Sequence, residues 1–403
     1  MPSDVYLFED FELDASTFEL RRAGRSVSIE PRVFDLILFL VRNRRRVVGR
    51  PELLEQVWGT QFVSEAALTT ALRSARSALA DSGSTQRLIR TAHGRGYRFV
   101  GQVSHTASAR EVDAAPDDVG EARQVVRFCA AADGTTIAYA SLGAGSPLVK
   151  VASWTGHIDL EWQTPVWVRW LRGLGRGRRL VRYDGRGSGL SERAPAVTGF
   201  ESWLTDLEAV VDDAGLERFP LLGIAQGGAV AVEYAARHPE RVSGLVLSGA
   251  YARGRSARAV TDLEKAEVGL EIDLARVGWH HRDGSFMQAF AAQVVPDSSP
   301  EQWSELIDYQ RRTTDAAAAV EILRESFRID VTEVAPRVRC PVLVVHARGD
   351  RRVPASQAGE LAALVPDSEL VLLDSNSHLL TDEDPAWPDY LDHVHQFLDR
   401  LDR

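Results

Sequence analysis

One short stretch, Gly223-Ile224-Ala225-Gln226-Gly227-Gly228, constrains the fold of this chain more than any other. An apolar, strand-like approach from Pro220 leads into it, and a helix of small residues, Ala229 to Arg237, leaves it. The pattern is that of a strand, a sharp turn and a helix. Around it, apolar runs alternate with helical segments from Val125 onward, the order of a mostly parallel sheet covered on both faces. The expected strands are Pro147 to Val151, Leu180 to Tyr183, Pro220 to Ile224, Leu245 to Ser248, Pro341 to His346 and Glu369 to Leu373. Val125 to Cys129 and Thr136 to Tyr139 form an opening hairpin, and a helix spans Trp387 to Leu401.

At 403 residues the chain is too long for one ordinary core, and two or three domains are expected. Ser104 to Gln124 is rich in Ala, Ser and Asp, with Pro116 and Gly120 as breakers, so residues 104–124 read as a linker. This sets domains at residues 1–103 and 125–403. Cys129 and Cys340 lie far apart in strand-like surroundings and are expected as buried thiols in a reducing cytoplasm. No basic, apolar leader opens the chain, and no apolar run approaches a membrane span, so a protein without membrane attachment is expected. No metal or other cofactor is expected.

The net charge of −10 conceals an asymmetry. Residues 1–103 hold 15 Arg, no Lys and 12 acidic residues, a balance of +3 against −13 over the remainder. The basic end is the one to test for nucleic acid. It opens with short alternating runs of a small antiparallel sheet, followed by helices from Pro31 to Arg42, Arg50 to Trp58 and Ser64 to Leu79. In the third helix Leu68, Leu72, Ala75 and Leu79 share a core stripe. The other side and its flanks present Ala66, Thr69, Thr70, Arg73, Ser74, Arg76 and Ser77, a set that suits either a solvated helix face or a helix lying in a major groove, where Arg can read guanine and hydroxyls can hold phosphates. Two β runs, Leu88 to Thr91 and Tyr97 to Val100, then flank a Gly-Arg-Gly tip.

With Leu53-Leu54-Glu55-Gln56-Val57-Trp58-Gly59 and Arg90-Thr91-Ala92-His93-Gly94-Arg95-Gly96-Tyr97-Arg98-Phe99, this segment resembles the winged-helix DNA-binding domains of the OmpR/PhoB type. The resemblance makes the third helix the recognition helix and places Arg95 of the wing at the adjacent minor groove. The DNA-binding residues it implies are Thr69, Thr70, Arg73, Arg76, Ser77 and Arg95, with double-stranded DNA as partner.

Val125–Arg403 resembles the α/β-hydrolase family. The resemblance rests on the Asp184-Gly185-Arg186-Gly187-Ser188-Gly189-Leu190-Ser191 loop, the Gly223–Gly228 turn, Gly349-Asp350-Arg351-Arg352-Val353-Pro354, and Ser377-His378 after the last strand. Nucleophile, acid and base follow one another in the family's order. Asp350 and His378 map to acid and base, while the nucleophile position holds Ala225, whose methyl group cannot attack a carbonyl. The family's His-Gly after the first buried strand is replaced by Ala152-Ser153, ahead of Trp154. Backbone N–H groups of Gln226 and Trp154 would still serve an oxyanion hole.

A helical cap is expected at about residues 250–335. Trp279, Phe286, Met287, Phe290, Trp303 and Tyr309 there are candidates for an apolar chamber, with Trp154, Trp162 and Trp167 near its entrance. The expected ligand-binding residues are Trp154, Gln226, His378, Trp279, Phe286 and Phe290. The fold class is therefore α/β, an N-terminal α+β winged helix followed by an α/β-hydrolase fold with a cap. The expected function is a cytoplasmic, homodimeric DNA-binding regulator whose catalytically silent hydrolase domain senses a small, largely apolar carbonyl compound. The alternatives are an enzyme using His378 and Asp350 with water, or with Ser as the natural residue at 225, and a hydrolase fold kept only for dimerisation.

Overall fold

The computed structural model describes all residues except 1–3, 15–18, 23, 28, 45, 59–64, 83–84, 93–94, 102, 108–123, 196–197, 282–283 and 382. The chain divides into two compact units, Met1–Pro116 and Asp117–Arg403. Among the described residues no helix is long and apolar enough to cross a membrane.

In the first unit β1 (Asp4–Phe8), β2 (Phe11–Asp14), β3 (Glu19–Arg22) and β4 (Arg25–Val27) form consecutive antiparallel pairs. Helices α1 (Pro31–Arg42), α2 (Arg50–Trp58) and α3 (Glu65–Ala78) follow, then the hairpin β5 (Ile89–Ala92) and β6 (Gly96–Phe99). Ser64, the expected N-cap of α3, and His93-Gly94 of the wing tip lie outside the described residues. Phe8, Phe11, Phe34, Leu40, Leu68, Leu72, Ala75 and Phe99 meet in one core, which fixes the face that α3 turns outward. The expected linker begins too early. Ser104–Ala107 forms β7, antiparallel to β1, because an edge strand with unpaired N–H and C=O groups accepts short polar sequence that composition alone assigns to a loop.

Asp81 joins α3 to the wing. Its carboxylate accepts the N–H groups of Arg87 at 2.8 Å, Leu88 at 2.9 Å and Ile89 at 3.0 Å. Burial works to raise this carboxyl, but the donors prevail and lower it from 3.8 to about 2.

The second unit is an eight-stranded sheet in the order β15-β14-β13-β12-β10-β11-β9-β8. It comprises β8 (Val125–Ala130), β9 (Thr136–Leu142), β10 (Ser146–Lys150), β11 (Arg178–Tyr183), β12 (Phe219–Ile224), β13 (Val242–Ser248), β14 (Val342–Ala347) and β15 (Ser368–Leu373). β8 and β9 are antiparallel to their neighbours and the other pairings are parallel. Both faces are covered, by α4 (Pro165–Gly175) and by α5 (Phe200–Asp213) and α6 (Gln226–Arg237) among others, in two separate apolar clusters. The central strands β12 and β14 are buried throughout, as a sheet covered twice requires.

Among the described residues, five α-helices lie between β13 and β14 and form the cap: α7 (Arg255–Arg258), α8 (Asp262–Gly278), α9 (Ser285–Val294), α10 (Pro300–Thr313) and α11 (Ala316–Arg328). After β14 come α12 (Ala355–Leu364) and, beyond β15, α13 (Trp387–Leu401). Thr261 and Ser299 cap α8 and α10 through reciprocal bonds with Glu264 and Gln302. Cys340 is buried and Cys129 half-buried, both as free thiols.

Candidate functional site

On the first unit, Thr69, Thr70, Arg73 and Ser77 are exposed along α3, and Arg95 is exposed on the hairpin. Arg76 departs from the expected set. Its guanidinium turns back to the wing, donating to the Ile89 carbonyl at 3.0 Å and to Thr91 Oγ1 at 2.9 Å. Half-buried and committed to two acceptors, it braces α3 against β5.

The turn between β12 and α6 in the second unit is tighter than the sequence pattern alone conveys. Ala225 has φ 50° and ψ −122°, a conformation that side chains disfavour. Its N–H donates to the Ser248 carbonyl at 3.0 Å and its carbonyl accepts from Gly228 N–H at 3.0 Å, which holds the residue at the crossing. The glycines are there for space. A Cβ on Gly223 would lie 2.5 Å from the Gly227 carbonyl oxygen, and one on Gly228 would lie 2.4 Å from Ala250 Cβ. Gln226 opens α6, so its N–H has no intrahelical acceptor and stands at the positive end of the helix.

Two loops bring an acid and a histidine to that turn from the neighbouring parallel strands. Asp350 follows β14, and His378 follows β15. His378 Nδ1 lies 2.8 Å from Asp350 Oδ2. The other carboxylate oxygen accepts the N–H groups of Arg352 at 2.7 Å and Val353 at 2.9 Å. Burial pushes the Asp350 carboxyl up, yet the facing His378 ring, its hydrogen bond and the Val353 N–H hold it below the usual carboxylate value. The acid is therefore ionised at neutral pH and fixes the imidazole by its Nδ1 side, leaving Nε2 for another partner. Gly249, with φ 56°, backs the ring: a Cβ there would be 3.0 Å from His378 Cε1. The cap grips the same loop, since the Val294 carbonyl at the end of α9 accepts from His378 N–H at 2.9 Å and Leu379 N–H at 3.2 Å.

Over this floor lies a chamber of about 920 Å³, including its open mouth. Ala225, Gln226 and His378 line it beneath apolar walls from Trp154, Trp167, Phe290, Leu323 and Phe327. Trp154 and Phe290 pack with ring centres 5.5 Å apart. Most of its exposed lining is hydrocarbon or aromatic, as in a pocket for a small, largely apolar molecule.

Residues 174–385, more than half of the chain, match the family described as Serine aminopeptidase, S33. The chain belongs to that family. Residues 24–99 match the family described as Transcriptional regulatory protein, C terminal, so a DNA-binding regulatory domain is fused to an α/β-hydrolase domain. Among curated relatives, the 2-hydroxy-6-oxo-2,4-heptadienoate hydrolase of Pseudomonas putida is 29% identical over 250 residues, 57% of this chain and 81% of its own. The AB hydrolase superfamily protein YisY of Bacillus subtilis is 26% identical over 249 residues, 60% of this chain and 88% of its own. The enol-lactonase from Burkholderia xenovorans superposes with a TM-score of 0.57 at 22% identity, covering 68% of this chain and 100% of that one, a likeness of fold.

Within this hydrolase fold, Trp154, Gln226, Phe290 and His378 converge on the chamber as expected residues, together with Trp167 and Tyr309. Trp279 and Phe286 do not. Trp279 is buried in the cap core and donates its indole N–H to the Thr314 carbonyl at 3.2 Å. Phe286 lies beside it on a separate small cavity, 36% exposed. Trp279 follows the single buried stripe of α8 and Phe286 lies off that of α9, and periodicity does not say whether such a stripe meets the floor or the other cap helices. Tyr251, Arg255, Arg258 and Arg352, none of them among the expected ligand-binding residues, also line the chamber. The signal for Arg352 was present, two residues after Asp350. Arg255 and Arg258 sit on a four-residue helix with no periodicity to read.

Proposed function

We propose that the protein is a cytoplasmic DNA-binding transcription regulator whose hydrolase-fold domain, lacking a nucleophile, senses a small, largely apolar ligand bearing a carbonyl. The observation that carries this reading is Ala225 at the strained turn beneath an otherwise furnished chamber. In an α/β-hydrolase that turn holds the attacking hydroxyl, and loss of a triad nucleophile removes on the order of a millionfold in rate. Binding has no such dependence. The Gln226 N–H and His378 Nε2 remain to hydrogen-bond a carbonyl, with Asp350 orienting the ring, and Trp154 and Phe290 supply apolar contact. In this reading Ala225 is the lost nucleophile position, with Asp350 and His378 as triad remnants.

Sensing requires that the ligand favour one conformation over another. The bonds from His378 and Leu379 to the Val294 carbonyl tie the site to the cap, so closure of the cap on a ligand is the conformational difference we assign. Thr69, Thr70, Arg73, Ser77 and Arg95 meet DNA, and a homodimer would present two such faces to paired half-sites. Gel-shift measurements of the full chain on promoter fragments, at low and physiological salt, test the DNA half. Absence of any shifted fragment at either salt would refute it. The intact His378–Asp350 pair favours a second reading, an enzyme that activates water directly. Turnover of short activated esters by the chain with Ala225 in place would support that reading instead.

A further inference from the structure

The chamber changes character at its cap end. Arg255 and Arg258 of α7, with Arg352, line it there, and the same three arginines border a second, polar cavity of about 750 Å³ including its open side. Arg351, Glu264 and Glu267 complete the polar cavity's charged lining. An apolar space and a polar one thus adjoin across a band of guanidinium groups.

These arginines differ in what they are bound to. Arg255 pairs with Glu271 and, at 3.3 Å, with Glu267. Arg352 pairs with Glu271 as well and lies 4.6 Å over the Phe290 ring. Glu264 is committed to the start of α8, accepting the N–H groups of Val260 at 2.9 Å and Thr261 at 2.8 Å. Arg258 donates to the Arg253 carbonyl at 2.9 Å and, among the described residues, no carboxylate lies within ion-pair distance of it. Burial disfavours its charge, Tyr251 acts the other way, and Arg255, Arg352 and Arg253 repel it. A guanidinium stays protonated in proteins, so a half-buried one without a counter-ion destabilises the molecule in a way that a bound anion would relieve.

We propose that the ligand carries a carboxylate, held by Arg258 with Arg255 and Arg351 beside it, at the end of an apolar body whose carbonyl lies over Ala225 and His378. This rests on the reading of the chamber as a ligand site. The charge balance selects the head group. Arg255, Arg258, Arg351 and Arg352 face Glu264, Glu267 and Glu271, which leaves one positive charge, suited to a monoanion rather than to a doubly charged phosphate. The planar fork of a guanidinium also matches a carboxylate in shape.

The test is titration of the full chain with a series of ω-phenyl keto acids of graded length and with their methyl esters, followed by calorimetry and by the fluorescence of Trp154 and Trp167. The acids are expected to bind at least about tenfold tighter than their esters. Arg258→Gln should abolish that preference, the acids losing far more affinity than the esters, and Arg258→Lys should retain part of it. Arg351→Gln, at an exposed position, should weaken the acids alone by about two- to fivefold, which keeps the test decidable if Arg258→Gln does not fold. Acids and esters that bind the unsubstituted protein alike would overturn the carboxylate and leave the chamber reading standing. A phenylalkyl phosphate that binds tighter than the acids would overturn the choice of head group. If no member of the series binds, the chamber reading falls and the inference with it.

Discussion

Replacing Ala225 with glycine is expected to stabilise the second unit, although it removes a side chain from the best-formed turn in the molecule. The methyl group sits at φ 50° and ψ −122°, where non-glycine residues carry about 1–3 kcal/mol of strain. Glycine relieves that strain but adds freedom to the unfolded chain, which costs about 0.4–1 kcal/mol. Ala225 is only partly buried against the apolar cluster, so its lost contact amounts to about 0.4 kcal/mol, half the value of a fully buried methylene. The balance is a gain of about 1 kcal/mol, or roughly 2–4 °C in midpoint for a unit of this size. Thermal unfolding followed by tryptophan fluorescence reports this unit almost alone, because Trp58 is the sole one of the 9 tryptophans outside it. Ala225→Val should move the midpoint the other way, since branching at Cβ worsens a positive φ. A midpoint that falls in the glycine variant would refute the assignment of strain to this turn, and with it the view that the turn keeps an enzyme's geometry.

Three further outcomes are expected. Gly228→Ala should lower the stability of the second unit by about 1–3 kcal/mol in the same unfolding assay, because the new Cβ would stand 2.4 Å from the buried Ala250 Cβ. Arg73→Ala should weaken DNA binding and flatten its salt dependence in gel shifts, whereas Arg76→Ala should chiefly lower the thermal midpoint of the first unit, since Arg76 holds Ile89 and Thr91. Asp81 has its carboxyl lowered on folding, so its stabilising contribution is complete above pH about 4 and is lost as the pH falls toward about 2; Asp81→Asn should flatten that part of the unfolding profile measured by circular dichroism.

The strands of the parallel sheet, the turn at Ala225 and the loops carrying Asp350 and His378 were all legible in the sequence, because each is marked by a local pattern: a buried apolar run, a cluster of glycines, a loop at the end of a strand. What escaped was set by packing between segments. Trp279 and Phe290 are both aromatic cap residues, yet only the second reaches the chamber, and the choice depends on how α8 and α9 lie over the floor. Arg73 and Arg76 differ by less than one helical turn, and the hairpin beside α3 turns one of them inward. Ser104–Ala107 has no apolar pattern at all and becomes a strand because β1 offers it an open edge. Arg258 carries no signal in sequence, for its importance is the absence of a carboxylate brought near by the fold.

The central claim, a hydrolase fold that binds without cutting, is tested most directly by steady-state assay of the unsubstituted chain and its Ala225→Ser variant on one set of short activated esters. The account predicts no turnover above solvent background with alanine, and measurable turnover with serine, whose hydroxyl would stand at the turn beside a His378 already oriented by Asp350 at 2.8 Å. Equal turnover by the two proteins would contradict it.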